Sequence, residues 1–560
     1  MNLLGKAMDK NFWNEVRTKE CFSGYREELL KMWDEKCENK EISQMTYSDF
    51  KLFWTTGDRS IYESKYFFRR HLMDCSALLA LIYPEEEKYL IKLMDVIYAV
   101  CDEYTWCLPA HQGKLEPNNN TKIDLFASET AFALAEIYIM LGDRLEPLIK
   151  NRILAETERR IVIPFTSVCP YDFWETGNTN WTAVCMGSVA CMFMLIYPDM
   201  VESLKPRFDN AMECFLSGFK DDGICLEGCS YWHYGFGFFT VYADMIRKFT
   251  DGNTDYFKRD KVKNISTFIQ KMFLSGNASV SFADGSRSLF YQLGLIHYLK
   301  NEYPDDIVVY DKKYSYNYDH CGRFCLHLRS ALWFNEIYFN NPAPDNICSE
   351  YYAPDSQWLI KRTESYGFAA KGGNNAEPHN HNDVGSFIFA KNGRQALADL
   401  GAGTYTRQYF SGERYSILEC SSRGHSVPII DDSYQFSSPE AAAGNVEYSN
   451  GIFTMDISKA YRCERLKGFT RKFTLTDDSV KLNDTFDCDG DREITERLVT
   501  LIKPEIGKDG VVHIGDVTVE YDAEKYGCAI NDEPASNGEP CYFIDFTLKS
   551  KVCVFECVIK

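Results

Sequence analysis

The chain has 560 residues, a mass of 64.6 kDa and a formal net charge of -20 at pH 7. That length exceeds what a single hydrophobic core supports, so we expect two or three domains. The acidic balance excludes nucleic acid as the expected partner, because no basic stripe is present to displace counterions. No apolar run of about eighteen residues occurs, so the sequence predicts no membrane span.

The cysteine pattern indicates a reducing compartment. The 21 cysteines are scattered singly rather than in regular pairs. Cys225 and Cys229 have no second pair near them that would complete a zinc ribbon. Residues 1–10 lack the apolar stretch of a secretory signal. Together these features predict reduced thiols and a cytoplasmic location.

Helical periodicity dominates the first half of the chain. Apolar residues at helical spacing run through 76–101, where Pro84 is expected to separate two helices. The stretch 124–153 opens with Asp124 as a cap and should break at Gly142. Successive helices with short connections indicate antiparallel helix pairs. Further helices are predicted at 181–195, which should be fully buried, and at 208–219, 236–249 and 260–273.

After Ser315 the pattern changes to short alternating or apolar runs bounded by Gly, Asn and Asp. Such runs are typical of strands in an antiparallel β domain. Clear examples are 358–360, 386–390, 396–401, 452–455, 480–482 and 517–519. The sequence therefore predicts a multidomain α+β protein, helical first and antiparallel β second.

A polar cluster in the β half is the strongest candidate for chemistry. His379, His381 and Asp383 lie at alternating positions, and Asp399 and His425 follow within 47 positions of His379. If a strand already begins at His379, alternation places the first three on one face. Neutral imidazoles and a carboxylate form a ligand set that zinc accepts in tetrahedral geometry. The alternative is that these are surface or loop residues without a shared site.

Two polar segments of the helical half could accompany this cluster. Asn178-Thr179-Asn180-Trp181 precedes the most buried helix, where an asparagine could equally be a simple N-cap. The segment 227–235 places Glu227, Tyr231 and Tyr234 among further aromatic residues and two glycines. Its alternative interpretation is an aromatic loop that packs over the domain.

These motifs together resemble a known family. Asn-x-Asn-Trp, Glu-Gly-x-x-Tyr-x-x-Tyr-Gly, His-Asn-His-x-Asp-x-x-Ser-Phe, Asp-x-Gly and Ser-x-x-His occur here in the order seen in the heparinase II/III-like polysaccharide lyases. The resemblance covers approximately residues 100–480, and it rests on the order of the motifs because each alone is weak. It implies an N-terminal (α/α) toroid, residues 1–315, and a C-terminal antiparallel β-sandwich, residues 316–560, with the site between them. It also implies β-elimination at a uronic acid.

The resemblance assigns roles to particular residues. Asn180 matches the family's carboxylate-binding asparagine, whose amide would stabilise developing negative charge. His379 matches a proton acceptor or second carboxylate donor. Tyr231 resembles the catalytic tyrosine, which protonates the leaving oxygen and, with a lowered pKa, could also act as base. Tyr234 is the alternative tyrosine. Trp181 stands where some members have a second histidine, so the arrangement resembles that of heparinase III.

The same resemblance implies a metal site and supporting residues. His381, Asp399 and His425 match the family's zinc ligands, and one structural Zn²⁺ per chain would hold His379 in place. The alternative is a hydrogen-bonded cluster without metal. Glu227, Tyr405, Tyr409 and Arg423 are expected to support the site, although each could be an ordinary packing or surface residue.

Other functions stay open from the sequence. A uronyl C5-epimerase would use the same proton abstraction, and a non-catalytic carbohydrate-binding protein would bind without turnover. A zinc hydrolase is disfavoured because no His-Glu-x-x-His motif occurs. The expected partner is a uronate-containing oligosaccharide, and a homo-oligomer is left open. Because long polyanions do not readily reach the cytoplasm, we expect short oligosaccharides cut from one end.

Overall fold

The protein is described by a computed structural model that covers residues 2–38, 40–113, 115, 119–311, 313–316, 320–344, 347–490, 492–548 and 553–560. Two compact units are present. The first combines residues 1–218, 233–263 and 290–343, and the second combines residues 219–232, 264–289 and 344–560. Among the described residues, no helix has both the length and the apolar character needed to cross a membrane.

The first unit is built from helices. Most are joined by short connections, as expected for helix pairs. Their bounds are Lys10–Thr18, Ser23–Met32, Tyr47–Thr56, Ser60–Ile82, Glu87–Cys101, Leu125–Leu141, Pro147–Thr157, Ile163–Ser167, Asn180–Ile196, Pro198–Ser217, Gly237–Phe249, Leu293–Glu302, Phe324–Leu332 and Glu336–Asn340.

Local chemistry sets several of these bounds as the sequence predicts. The break at Pro84 is confirmed, since one helix ends at Ile82 and the next begins at Glu87. Asp124 is confirmed as an N-cap, because its side chain accepts a hydrogen bond from the Ala127 N–H. The predicted buried helix is present as Asn180–Ile196, with most of its side chains inaccessible to solvent.

Two predicted helices are wrong in their extent. The helix predicted at 208–219 begins ten residues earlier, at Pro198, because proline is favourable in the first turn of a helix. The stretch 260–273 divides into two short helices, Asp260–Ser266 and Phe268–Lys271, and then enters the strand Phe273–Ser275. Periodicity alone cannot distinguish a buried helix from a short buried strand.

The second unit is a β-sandwich. One layer contains a five-stranded antiparallel sheet in the order Ser349–Ala353, Trp358–Arg362, Gly367–Lys371, Phe387–Lys391, Arg394–Leu397 and a four-stranded sheet in the order Ile429–Ile430, Ile494–Thr500, Pro540–Leu548, Tyr526–Pro534. The other layer is an eight-stranded sheet in the order Gly444–Ser449, Ile452–Asp456, Leu466–Leu475, Val480–Cys488, Val554–Ile559, Val517–Tyr521, Val511–Ile514, Glu505–Ile506.

The core of the second unit lies between these layers. Leu466–Leu475 alternates buried and exposed side chains along most of its length, the pattern of a strand with one face on a core. Phe473 from the eight-stranded sheet packs edge-on against Phe368 and Phe387 of the five-stranded sheet, with ring centroids 5.2 and 5.1 Å apart. The predicted antiparallel β class is therefore confirmed.

The predicted start of a strand at His379 is wrong. The strand begins at Phe387, and residues 379–386 form an irregular segment. His379 itself has a left-handed backbone, with φ of 55°, which no regular strand contains. Asp399 likewise follows its strand, which ends at Leu397. Strand alternation therefore does not explain how these side chains are oriented.

The fold class is the predicted one, with helices in the N-terminal region and antiparallel sheets in the C-terminal region. The division of the chain at residues 315 and 316 stays a prediction about domains. The segments 219–232 and 264–289 group with the β unit although they precede that boundary.

Candidate active site and metal cluster

A single buried carboxylate, that of Asp284, lies at the centre of the candidate site. Its Oδ2 is 2.7 Å from His379 Nδ1 and 3.1 Å from the Tyr405 hydroxyl. Its Oδ1 is 3.2 Å from His381 Nε2 and 2.8 Å from Arg414 Nη2. The hydroxyl of Tyr409 also donates to Oδ1. We call these six residues the Asp284 cluster; all of them belong to the second unit.

Asp284 is ionised in this setting. Burial alone would raise the pKa of its carboxyl, but the hydrogen bonds from His379 and His381 outweigh burial and hold the pKa far below its ordinary value. An ionised carboxylate only accepts hydrogen bonds. Each histidine therefore donates an N–H to Asp284 and keeps a lone pair on its other ring nitrogen when neutral.

Tyr231 lies directly against His379. The two rings are stacked with centroids 4.2 Å apart, and the Tyr231 hydroxyl is 2.9 Å from that of Tyr405. Burial raises the pKa of the Tyr231 phenol, and the charge of Asp284 raises it further. The lowered pKa considered for a basic Tyr231 is therefore not found; its surroundings keep the phenol protonated.

Glu227 approaches the other side of the same imidazole. Its Oε2 is 3.6 Å from His379 Nε2, the nitrogen that does not face Asp284. His379 is thus placed between two carboxylates and retains partial exposure, 23% of its side chain.

Three of the predicted residues come together as a candidate metal cluster. His381, Asp399 and His425 are fully buried, and one ligand atom from each lies within 4.8 Å of the others. His425 Nδ1 is 3.1 Å from Asp399 Oδ2, and its Nε2 is 2.7 Å from the Glu419 carbonyl oxygen. Burial favours the neutral acid, but His425 outweighs it and lowers the pKa of Asp399.

The donor set fits a zinc ion. Within the described part of the chain, His381 Nδ1 is buried and has no hydrogen-bond partner. A buried polar atom without a partner is costly, and a cation would satisfy it. The far nitrogens of both histidines already have acceptors, at Asp284 and at the Glu419 carbonyl, as is usual for metal-bound histidines.

Asn180 and Tyr234 belong to the first unit. Asn180 is buried and is the first residue of its helix; the N-cap is Thr179, so a capping role for Asn180 is not observed. Gly235 packs on Asn180, since a Cβ at 235 would lie 3.0 Å from that of Asn180. The hydroxyl of Tyr234 donates to Glu129, and Arg323 stacks on its ring at 3.8 Å.

The predicted supporting residues separate into two groups. Tyr405 and Tyr409 belong to the Asp284 cluster, and Glu227 faces His379. Arg423 does not join them, because its guanidinium pairs with Glu533 at 3.2 Å.

Sequence reasoning missed Asp284 and Arg414. Asp284 lies 95 residues before His379 in a segment without a distinctive pattern, Ser-Phe-Ala-Asp-Gly. The positive φ of Ala283, 59°, is visible only in the structure. Arg414 is one of many arginines and shows no pattern of its own.

Comparisons with known proteins bear on the fold of the chain. No curated protein matches the sequence. Residues 352–534 match the family model described as "Heparinase II/III-like, C-terminal". A solved structure of a heparan sulfate lyase HepC mutant from Pedobacter heparinus has a TM-score of 0.60 at 12% identity, covering 99% of this chain and 86% of that one. A heparinase III with methylated lysines gives 0.60 at 11% identity, covering 97% and 83%.

A chondroitin AC lyase of Streptomyces coelicolor A3, solved with chondroitin sulphate, has a TM-score of 0.50 at 10% identity and covers 98% of this chain and 82% of that one. At identities this low, structural similarity establishes the fold alone. The chain thus has the toroid-plus-sandwich fold in which these lyases are built. Within that class, residues 352–534 match the model of the heparinase II/III-like C-terminal domain, and the predicted resemblance is confirmed.

Proposed function

We propose that this chain is a polysaccharide lyase that breaks a glycosidic bond beside a uronic acid by β-elimination. The observation that carries the proposal is the stacked pair of Tyr231 and His379, a candidate acid and a candidate base in direct contact, with His379 hydrogen-bonded to Asp284. Support comes from the heparan sulfate and chondroitin lyases that share its fold.

The reaction needs three contributions. The C5–H bond breaks and its electron pair forms the C4–C5 double bond, while the C4–O4 bond breaks toward the leaving sugar. A base must take the C5 proton, an acid must protonate O4, and hydrogen-bond donors must stabilise the charge that develops on the uronate carboxylate.

His379 is the proposed base and Tyr231 the proposed acid. Because His379 donates its Nδ1–H to Asp284, its Nε2 carries the lone pair that would take the proton from C5. Glu227 would then stabilise the resulting imidazolium from 3.6 Å. The raised pKa of Tyr231 keeps its proton available for O4.

Asn180 is the proposed carboxylate-binding residue. Its amide can donate hydrogen bonds, and it occupies the first turn of the helix Asn180–Ile196. The N-terminus of such a helix carries unsatisfied N–H groups and a partial positive charge, so it favours an anion. This local field matters in a chain with a net charge of -20.

We also propose that His381, Asp399 and His425 hold one structural Zn²⁺. Bound there, zinc would supply cross-linking of three segments of the β unit and no proton transfer. His381 is two residues from His379, so fixing it restrains the proposed base.

The proposal includes cleavage of short uronate oligosaccharides from one end of the sugar chain, in the cytoplasm. Buried free thiols such as Cys37, Cys75 and Cys185 support a reducing compartment.

Product analysis tests the proposal. The protein is incubated with oligosaccharides of heparin, heparosan, chondroitin, hyaluronan and alginate, and ultraviolet absorbance reports a 4,5-unsaturated uronate. At least one substrate should give this product. A changed configuration at C5 without the double bond would instead indicate an epimerase, and tight binding without any turnover would indicate a carbohydrate-binding protein.

A further inference from the structure

We propose that Asp284 is a shared positioning residue, which fixes the proposed base His379 and the proposed metal ligand His381 at the same time. This inference rests on the proposed function for the role of His379. Its geometric part stands on hydrogen bonds alone: one carboxylate accepts from His379 Nδ1 at 2.7 Å and lies 3.2 Å from His381 Nε2.

Hydrogen bonds and close packing tie the backbone that carries Asp284 to the segment 399–402. Ser281 Oγ donates to the Asp399 carbonyl at 3.0 Å, and the Ala402 N–H donates to the Gly285 carbonyl at 3.1 Å. A side chain on Gly401 would place its Cβ 2.3 Å from the Gly285 carbonyl oxygen, so the two segments pack in direct contact. Asp284 is therefore anchored to the segment that carries the proposed ligand Asp399.

The carboxylate is saturated with donors. His379, His381, Tyr405, Tyr409 and Arg414 all donate to its two oxygens. A carboxylate offers about four lone-pair positions. It therefore has no capacity left for substrate, and we assign it a positioning role and no direct contact with the reacting atoms.

The consequence is a defined tautomer for each histidine. The ring of His379 must carry hydrogen on Nδ1 and present Nε2, while His381 must carry hydrogen on Nε2 and present Nδ1 to the metal cluster. Arg414 reinforces both, because it binds Asp284 and also donates to the carbonyl oxygens of His379 and Asn380 at 3.0 and 3.3 Å.

A substitution that keeps the shape but removes the charge tests this role. In Asp284→Asn an N–H₂ group replaces one of the two carboxylate oxygens. Each oxygen accepts a hydrogen bond from one histidine, and an N–H₂ group cannot accept, so at least one histidine loses its partner. We expect zinc affinity, measured by chelator competition, to fall about 10- to 100-fold. In zinc-saturated protein, kcat should fall at least about 100-fold while KM changes less than about threefold.

The matched control is Asp545→Asn. Asp545 is a buried partner of Arg497 at 2.8 Å in the same unit and lies outside the Asp284 cluster. It should keep the parental zinc affinity and kcat. Parental values of either quantity in folded Asp284→Asn would overturn the proposal, since a shared role requires both to fall.

A second measurement needs no variant and no activity. Selective ¹⁵N-histidine labelling of the intact protein reports which ring nitrogen carries hydrogen. Hydrogen on His379 Nδ1 and on His381 Nε2 supports the proposal, and the opposite tautomer at either ring overturns it. A protein with these tautomers that forms no unsaturated product from any glycan would refute the lyase function while leaving the positioning role intact.

Discussion

His379 has a left-handed backbone that the surrounding residues hold in place. Its φ of 55° is left-handed, a conformation that costs a non-glycine residue roughly 1–2 kcal/mol. The Arg414 guanidinium binds its carbonyl and Asp284 binds its ring, so the surroundings hold this conformation. Strain that is maintained in this way is typical of functional sites.

His379→Ala should therefore lose function with little loss of stability. Removal of a general base typically lowers turnover about 100- to 10000-fold. We expect a fall of that size in the rate of unsaturated product formation, measured by absorbance. Thermal unfolding of the same sample should remain near the parental midpoint. An active His379→Ala would move the base to another residue.

Asn180→Ala should be severely impaired for a different reason. The loss of one donor to developing charge costs about 100- to 1000-fold in kcat. Asn178→Ala is the control, because it is an asparagine two positions earlier in the same motif. Comparable rates for the two variants would contradict the assignment of Asn180.

At the scale of residues, the sequence predicted the histidines and tyrosines of the site but not Asp284, which binds several of them. Short motifs indicated His379, His381 and Tyr231, because each motif places several polar or titratable side chains within a few residues of one another. Asp284 contacts them only through folding, 95 residues away from His379. A contact across that separation leaves no periodicity or spacing in a single sequence.

At the scale of elements, the buried residues Arg471, Asp484 and Glu496 connect the eight-stranded sheet with the candidate metal cluster. Arg471 pairs with Asp484 at 2.6 Å and with Glu496 at 2.5 Å. It also donates to the carbonyl of Ser426, the neighbour of His425, at 2.7 Å. Burial first, and then the charge of Asp484, raise the pKa of Glu496 well above its ordinary value.

This raised pKa gives a dependence of stability on pH. The folded protein binds the Glu496 proton more tightly than the unfolded protein does. Protonation of Glu496 therefore contributes fully to stability below the ordinary glutamate pKa of about 4.3, and this contribution is lost as the pH rises through the raised pKa. Glu496→Gln cannot ionise. Urea unfolding from pH 4 to pH 8 should show the variant gaining free energy of unfolding relative to the parent, with Glu520→Gln as the surface reference. A constant difference across this range would contradict the raised pKa.

A second prediction at this scale concerns the candidate metal cluster. His381→Ala should abolish binding of the expected one zinc per chain and lower the unfolding temperature, because three segments lose their cross-link. His513→Ala, an exposed histidine on the strand Val511–Ile514, is the matched control. Metal-free parent protein on elemental analysis, together with a His381→Ala variant as stable as the parent, would refute the zinc assignment.

Element types were predictable where patterns are long and unambiguous. The helices around Pro84 and the strand Val480–Cys488, which alternates buried and less buried side chains, follow directly from periodicity. The irregular segment 379–386 was not predictable, because its conformation depends on tertiary hydrogen bonds rather than on local preference.

At the scale of the whole molecule, net charge bears on the proposed mode of action. A chain with a net charge of -20 gains no long-range attraction to polyanions. We therefore expect stepwise release of disaccharide or monosaccharide from short oligosaccharides. Size-exclusion profiles recorded during digestion measure this release. A rapid fall in the average length of a long polymer would show internal cutting instead.

The order of helical and β regions was predictable because their sequence periods differ. The segments 219–232 and 264–289 that group with the β unit were not, since they lie within a helical stretch of sequence. They carry Tyr231 and Asp284, so the candidate site is assembled from parts of the chain that a linear division would separate.

Tyr231 and His379 are the proposed acid–base pair of a lyase. The most direct test is the initial rate of unsaturated product formation by Tyr231→Phe, with Tyr234→Phe measured in parallel. Tyr231→Phe should lose about 100- to 10000-fold in rate, and Tyr234→Phe should lose much less, because the Tyr234 hydroxyl is bonded to Glu129. Near-parental turnover by Tyr231→Phe would contradict this assignment.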